Sequence, residues 1–263
     1  MATTTDVGAA LACQHIHHYF ATSKSGQLLH ALGDISLDVP AGSFVSLVGA
    51  SGCGKSTLLR VFAGLIQPTH GVARLAGNPI RGADEHKGMV FQEDAVFPWL
   101  SVIKNVEYGL RARGISREQR RATARRWIEL VGLSGFEDAY PRELSGGMRK
   151  RVDLARVYAS DPDVLLMDEP FGALDAQTKL RLQTELLRLW EQRRKTVVFV
   201  THDLEEAVYL SDTVVVMAAR PGRIASVHEV GLARPRPFEV RTSAEFTTLA
   251  KRLWDEIENL DQH

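Results

Sequence analysis

The stretch Gly49-Ala50-Ser51-Gly52-Cys53-Gly54-Lys55-Ser56-Thr57-Leu58-Leu59 decides how the rest of the chain is read. It satisfies the spacing G-x-x-x-x-G-K-[ST], preceded by Phe44 to Val48, an apolar run that suits a buried strand, and followed by a helical pattern. Glycines reach backbone angles closed to other residues, so successive N–H groups from Gly49 to Gly54 can converge on a β-phosphate. Lys55 then reaches the β and γ phosphates, Ser56 supplies a hydroxyl for Mg²⁺, and a helix starting near Lys55 and running through Thr57 turns its positive end toward the anion. A nucleoside triphosphate is implied. From average residue frequencies, a chance match in a chain of this length has odds on the order of 1 in 100.

Such a loop needs a carboxylate on a neighbouring strand to hold the metal, and Val164-Leu165-Leu166-Met167-Asp168-Glu169 offers one at a strand's end. Asp168 takes that role. Glu169 projects past the strand toward the γ-phosphate, where it can accept a proton from the attacking water. Leu144-Ser145-Gly146-Gly147-Met148 precedes a helix through Arg151 to Tyr158 and forms a second glycine-rich helix start suited to an anion. Two phosphate-binding ends on one chain are met most simply by a head-to-tail pair of chains, each lending its second loop to the other's nucleotide.

The surrounding pattern is α/β. Ile35, Leu37 and Val39 alternate with polar residues, as in a strand with one wet face. Val164 to Met167, Thr196 to Val200 and Thr213 to Met217 are short and β-branched, and helical patterns separate them, which is how a parallel sheet with crossover helices reads. Leu182, Leu186, Leu189 and Trp190 supply the apolar stripe of one such helix. From Val102 to about residue 160 the pattern is helical alone, which reads as an inserted lobe, with helices near Val102 to Leu110 and Arg117 to Val131. Residues 111 to 126 carry seven arginines, read as a solvated helix face because no aromatics interleave them as stacking platforms. Ser243 to Leu260 reads as a terminal amphipathic helix with Phe246, Leu249, Leu253, Trp254 and Ile257 on its apolar side, and Met1 to Ala12 as a loose tail.

Composition bounds the function. The chain has 263 residues with 44% hydrophobic, 7% aromatic and 24% charged positions, near the average for a soluble globular protein. Thirty-two basic residues balance 32 acidic ones, so no global field would hold nucleic acid or an anionic membrane. Cys13 and Cys53 alone make neither a disulfide framework nor a CxxC metal site and fit a reducing compartment. His15, His17 and His18 alternate along a strand-like segment, and no cysteine or carboxylate completes a metal site with them. The apolar runs are strand-sized, so the chain is expected not to cross a membrane by itself, and its start does not read as a secretory signal.

The ordered set Gly49 to Ser56, Gln92, Leu144 to Met148, Asp168-Glu169, Gly172 to Asp175 and His202 resembles the ATP-binding-cassette (ABC) ATPases. The resemblance implies a P-loop NTPase (RecA-like) core with an N-terminal antiparallel β subdomain and a helical subdomain inserted at about 95–160, within an ATPase domain spanning 12–240, followed by a C-terminal helix at 241–263. It implies ATP and Mg²⁺, with Ser56, Gln92 and Asp168 around the metal, and Lys55, Glu169 and His202 as the catalytic groups. It also implies that Ser145, Gly146 and Gly147 reach the γ-phosphate across a homodimer and that Asp175 bridges the subunits. Phe20 aligns with the aromatic that stacks on adenine, with Tyr19 as its rival. Met148 departs from the commonest signature, which has glutamine there.

Within that family, Gly88 to Leu100, Phe171 to Asp175, the signature ending in Met148 and Arg220-Pro221-Gly222-Arg223-Ile224 are similar to the importer ATPases for nitrate, taurine and alkanesulfonates. That branch implies an integral membrane permease, a periplasmic or lipid-anchored solute-binding protein, a peripheral place on the cytoplasmic side of the membrane, and no nucleic-acid partner. The alternative is a non-transport cassette ATPase acting on a nucleoprotein or an assembly scaffold. Val96, Phe97, Trp99 and Leu100 form an apolar patch suited to a partner helix, unless Trp99 is packed under the lobe's first helix.

Overall fold

The structure is a computed structural model that describes residues 9–21, 28–93 and 95–261. In chain order its elements begin with β1 (Ala9–Ala21), β2 (Leu28–Pro40), β3 (Phe44–Gly49), α1 (Lys55–Ala63), β4 (His70–Leu75), β5 (Asn78–Pro79) and β6 (Lys87–Val90). They continue with α2 (Val102–Ala112), α3 (Arg117–Leu130), α4 (Gly146–Ala159), β7 (Val164–Asp168), α5 (Ala176–Arg193) and β8 (Thr196–Val200). The last are α6 (Leu204–Leu210), β9 (Thr213–Ala218), β10 (Arg223–Glu229) and α7 (Ala244–Asp261). The chain divides into two compact units, one made of the residues up to Asp84 with those from Leu187 onward, the other of Glu85–Leu186.

In the first unit β2, β1, β4 and β5 form an antiparallel sheet. Its first strand takes up Ala9 to Ala12, which correct the expectation of a loose tail there: Leu11 pairs with Val39 on one side and Leu75 on the other, and is fully buried. Residues 1 to 8 of that expected tail lie outside the described residues. A second set runs β10, β9, β3, β8, with β3 parallel to both β8 and β9 and β10 antiparallel to β9. Every residue of β3 is buried, as its nearly all-apolar run suits, and the hydroxyl of its one polar residue, Ser46, meets that of Ser211. Phe44 anchors this core edge-on to Trp190 at 5.7 Å and tilted against Phe199 at 5.8 Å. Helix α7 buries Phe246 and Leu253, whereas Trp254 is 64% exposed and does not join the expected stripe. The neighbouring position on a helix lies about 100° round the axis, so once Leu253 faces inward Trp254 faces water.

In the second unit β6 and β7 run parallel, Lys87 opposite Val164 and Val90 opposite Met167. Helices α2, α3 and α4 pack together and carry its apolar core, burying Val102, Ile103, Val106, Ala124, Ile128, Val152 and Ala155. Of the arginine run, Arg113 pairs with Glu85 and Arg120 with Glu107, and Arg111, Arg117, Arg125 and Arg126 are exposed. It is a solvated face with local ion pairs. Asn105 is fully buried and shapes the preceding loop: its side-chain oxygen accepts from the Phe97 amide at 2.8 Å, and its amide donates to the carbonyls of Phe97, Leu100 and Ser101.

Candidate active site

The site residues fall into two sets, one in each compact unit. In the first, the loop from Gly49 to Gly54 leaves the buried end of β3 and enters α1 through Gly54, at φ 93°. Only glycine fits at Gly49, where φ is 142° and a Cβ would lie 2.2 Å from the Met217 carbonyl oxygen. Ser51 and Gly52 are exposed, with open space around Gly52, so the loop has room for a ligand on that side. Lys55 is 7% exposed, and its ammonium donates to the carbonyls of Gly49 at 2.7 Å and Ala50 at 2.9 Å and lies 3.6 Å from Cys53 Sγ. Its charge is thus held at the loop's mouth. The first amides of α1 have no intrahelical acceptor and add their dipole at the same place.

The outer wall of this loop comes from two segments. Pro221-Gly222, between β9 and β10, clamps onto β2 through Gly222 N to Ala31 O at 3.1 Å and Gly33 N to Gly222 O at 2.8 Å. A Cβ on Gly222 would sit 2.3 Å from the Cys53 carbonyl oxygen. In the sequence this segment serves only as a mark of the importer branch, not as a wall of the phosphate loop. Phe20 and Tyr19 differ in their surroundings. Leu32, opposite His18 in the sheet, abuts Gly54, where a Cβ would meet Leu32 Cδ2 at 2.5 Å. Phe20 shares that face, its ring 4.5 Å from His18, and is 37% exposed. Tyr19 is turned to the other face and stacks on His30 at 4.3 Å.

His202 follows β8 as an exposed residue. Because Leu47 of β3 is level with Val200 of parallel β8, His202 and the phosphate loop leave the same carboxyl edge, where ligands of open α/β sheets bind. Asp203 caps α6 beneath it, accepting from the amides of Glu205 at 3.0 Å and Glu206 at 3.1 Å.

In the second unit Gln92 follows β6 and Asp168-Glu169 ends β7, again at one carboxyl edge. Gln92 Nε2 donates to Glu169 Oε2 at 3.5 Å. Asp168 is 2% exposed, while Glu169 is held at φ 45°, a strained angle for a residue with a side chain. Ser145 caps α4, its Oγ accepting from the Met148 amide at 3.3 Å, so the glycines Gly146 and Gly147 are the first helical residues and the helix starts earlier than the pattern suggested. Asp175 caps the start of α5, and the Thr178 amide at 3.0 Å holds its carboxyl below the usual carboxylate range, hence ionised. Gln92 and Asp168 on this unit, an amide and a carboxylate, and the Ser56 hydroxyl on the other are each oxygen donors of the kind Mg²⁺ takes.

Sequence reasoning missed two cations of α4. Lys150 is 1% exposed and donates to the carbonyls of Phe91 and, at 3.0 Å, Gln92. Arg156 donates to the carbonyl of Ala95 and lies 5.1 Å from the centre of the Phe97 ring. Beside them opens a groove of about 540 Å³ lined by Met89, Phe91, Phe97, Tyr108, Ala112 and Val157 among others. Phe97 is half-buried against Tyr108 at 4.5 Å, whereas Trp99 is 70% exposed, so Trp99 is not packed under α2.

Residues 32–172 match the family model described as ABC transporter. The chain is 51% identical over 229 residues to an uncharacterised ABC transporter ATP-binding protein of Methanocaldococcus jannaschii, covering 87% of this chain and 85% of that one. It is 45% identical to the taurine import ATP-binding protein TauB of Rhizobium johnstonii, covering 85% of each chain. With the nitrate import ATP-binding protein NrtD of Synechocystis it shares 44% identity over 90% of each. Among solved structures it is similar to a dimeric ATP-binding cassette in a post-hydrolysis state bound to ADP and Pi, with a TM-score of 0.77 and 29% identity over 85% of this chain and all of that one.

Proposed function

The chain belongs to the ABC transporter ATP-binding family and is an ATPase, and on that premise we propose that it energises uptake of a small anionic solute through a separate membrane permease. Nitrate, taurine or a related sulfonate is the solute class, by analogy with the named relatives. The observation that carries the transport reading is the apolar groove beside Phe97, with Trp99 exposed at 70% on the segment that follows Gln92. Large apolar groups left on a loop suit a partner's helix, here one from the permease. Among the described residues no helix is long and apolar enough to cross a membrane, so in this reading the chain sits peripherally on the cytoplasmic side.

In the reaction, Phe20 stacks on adenine and Lys55 with the loop amides neutralises the β and γ phosphates. Glu169 accepts the proton of a water whose oxygen attacks the γ-phosphorus, the bond to the β-bridging oxygen breaks, and ADP and phosphate leave. When bound, Mg²⁺ offsets charge on the β and γ oxygens, and Ser56, Gln92 and Asp168 would hold it. His202 contacts the γ-phosphate from its own chain. Ser145, Gly146 and Gly147 contact that of a second, identical copy, and Asp175 lies where the copies meet.

The test is reconstitution in proteoliposomes with a permease of the nitrate or taurine importer class and a solute-binding protein loaded with nitrate or taurine. ATP turnover is expected to rise only when the loaded binding protein is present. Turnover indifferent to every loaded binding protein contradicts the importer reading.

A further inference from the structure

Lysine is among the residues most rarely buried, and a buried ammonium persists where its donors are met. Lys150 is 1% exposed and spends its donors on the peptide carbonyls of Phe91 and Gln92, the two residues that follow β6. The same helix, α4, begins at Ser145 and its glycines, and Gln92 reaches Glu169 Oε2 at 3.5 Å. Farther along α4, Arg156 holds the carbonyl of Ala95 and lies over Phe97. The segment from Phe91 to Phe97 is therefore tied at both ends to one rigid helix whose start is the second phosphate-binding end.

We propose that Lys150 is a positioning residue that makes the two ATP sites of the dimer cooperative, by fixing the backbone of Gln92 to the helix that begins at Ser145. This rests on the reading above, in which Ser145 serves the partner's nucleotide and Gln92 its own. When the partner's γ-phosphate draws the start of α4, Lys150 carries the displacement to the peptide groups on either side of the Gln92 side chain. That re-aims the amide beside Glu169. Apolar packing would secure the helix equally well but would not grip these two carbonyls, so the tie acts on the loop's orientation. Coupling of this kind travels through a contiguous rigid element with discrete contacts at each end.

The experiment is ATPase rate against Mg·ATP concentration for the full chain, fitted for a Hill coefficient, beside an equilibrium test of ATP-dependent dimerisation. The parent is expected to approach about 2, the ceiling for two coupled sites, and Lys150→Met to fall to about 1 while still forming the dimer. Lys150→Arg, which keeps the donors, is expected to retain the parental coefficient. Should Lys150→Met fail to fold, Lys150→Gln, uncharged and one bond shorter, is expected to show the same fall. A merely structural lysine would lower melting temperature and rate without changing the coefficient. A coefficient at the parental value in the Met or Gln variant overturns the proposal alone. A parent that is non-cooperative and stays monomeric with ATP overturns the two-copy reading as well.

Discussion

Gln92 and Glu169 lie 77 residues apart in sequence, yet their side chains meet at 3.5 Å beyond the carboxyl ends of parallel β6 and β7. In the proposed mechanism one is a donor to Mg²⁺ and the other is the proton acceptor. Their meeting puts a side chain of the loop after β6 against Glu169, so whatever moves that loop also moves a neighbour of the proposed base. The strained backbone at Glu169, φ 45°, is the kind of local cost that persists where surrounding structure fixes a functional geometry.

Lys55→Ala removes a largely buried cation that faces the phosphate loop's own carbonyls. It is expected to weaken ATP binding and to lower turnover by roughly 10³ or more, since that charge stabilises the transferring phosphoryl group. Nucleotide titration with steady-state turnover checks both, and parental rates would contradict the phosphate-site assignment.

Ser145→Arg places a long side chain at the start of α4, whose exposed cap leaves it room in a single chain. ATP affinity of the monomer is expected to stay within about twofold of the parent, as for a surface change outside a site, whereas ATP-dependent dimerisation and turnover are lost. A large fall in the monomer's own affinity would place this loop on its own chain's nucleotide.

Gly222→Ala tests the wall behind the phosphate loop. The new Cβ would lie 2.3 Å from the Cys53 carbonyl oxygen and 2.7 Å from that of Ala31, so the strap or the loop must shift. Overpacking of this kind costs about 1–3 kcal/mol, and ATP affinity is expected to fall along with the melting temperature. A variant with parental melting and parental affinity would show that the strap does not brace the loop.

The partner surface is best tested at Trp99, which stands beside the groove at 5.6 Å from Phe97. Phe97 is half-buried against Tyr108 and Arg156, so a polar change there would damage packing as well as docking. Trp99 is 70% exposed, and Trp99→Ser is expected to leave melting within about 0.5 kcal/mol of the parent and basal ATPase intact, while abolishing stimulation by the permease complex. Equal transport by variant and parent in vesicles would remove Trp99 from the docking surface.

What the sequence disclosed was what is local. The strand, glycine loop and helix around Lys55 follow one another directly, so their reading needed no knowledge of distant contacts, and β3 is buried throughout as expected. The start of strand β1 was hidden because Ala9, Ala10 and Ala12 carry no pattern of their own and are held by pairing with β2 and β4. The choice between Phe20 and Tyr19 was closed to alternation because the register shifts between His18 and Tyr19. Lys150 stands between Arg149 and Arg151 and reads as one more solvated cation, since its burial depends on loop carbonyls far away in sequence.

The central claim is that hydrolysis takes place in a site completed by a second copy of the chain, with Glu169 as the base. Glu169→Gln keeps the shape of the side chain but cannot accept the water's proton, so hydrolysis is expected to fall by roughly 10² or more while ATP still binds. The most direct measurement is size-exclusion chromatography with light scattering on this variant in Mg·ATP: the account predicts a stable ATP-bound dimer, and a variant that binds ATP yet elutes only as a monomer would contradict it.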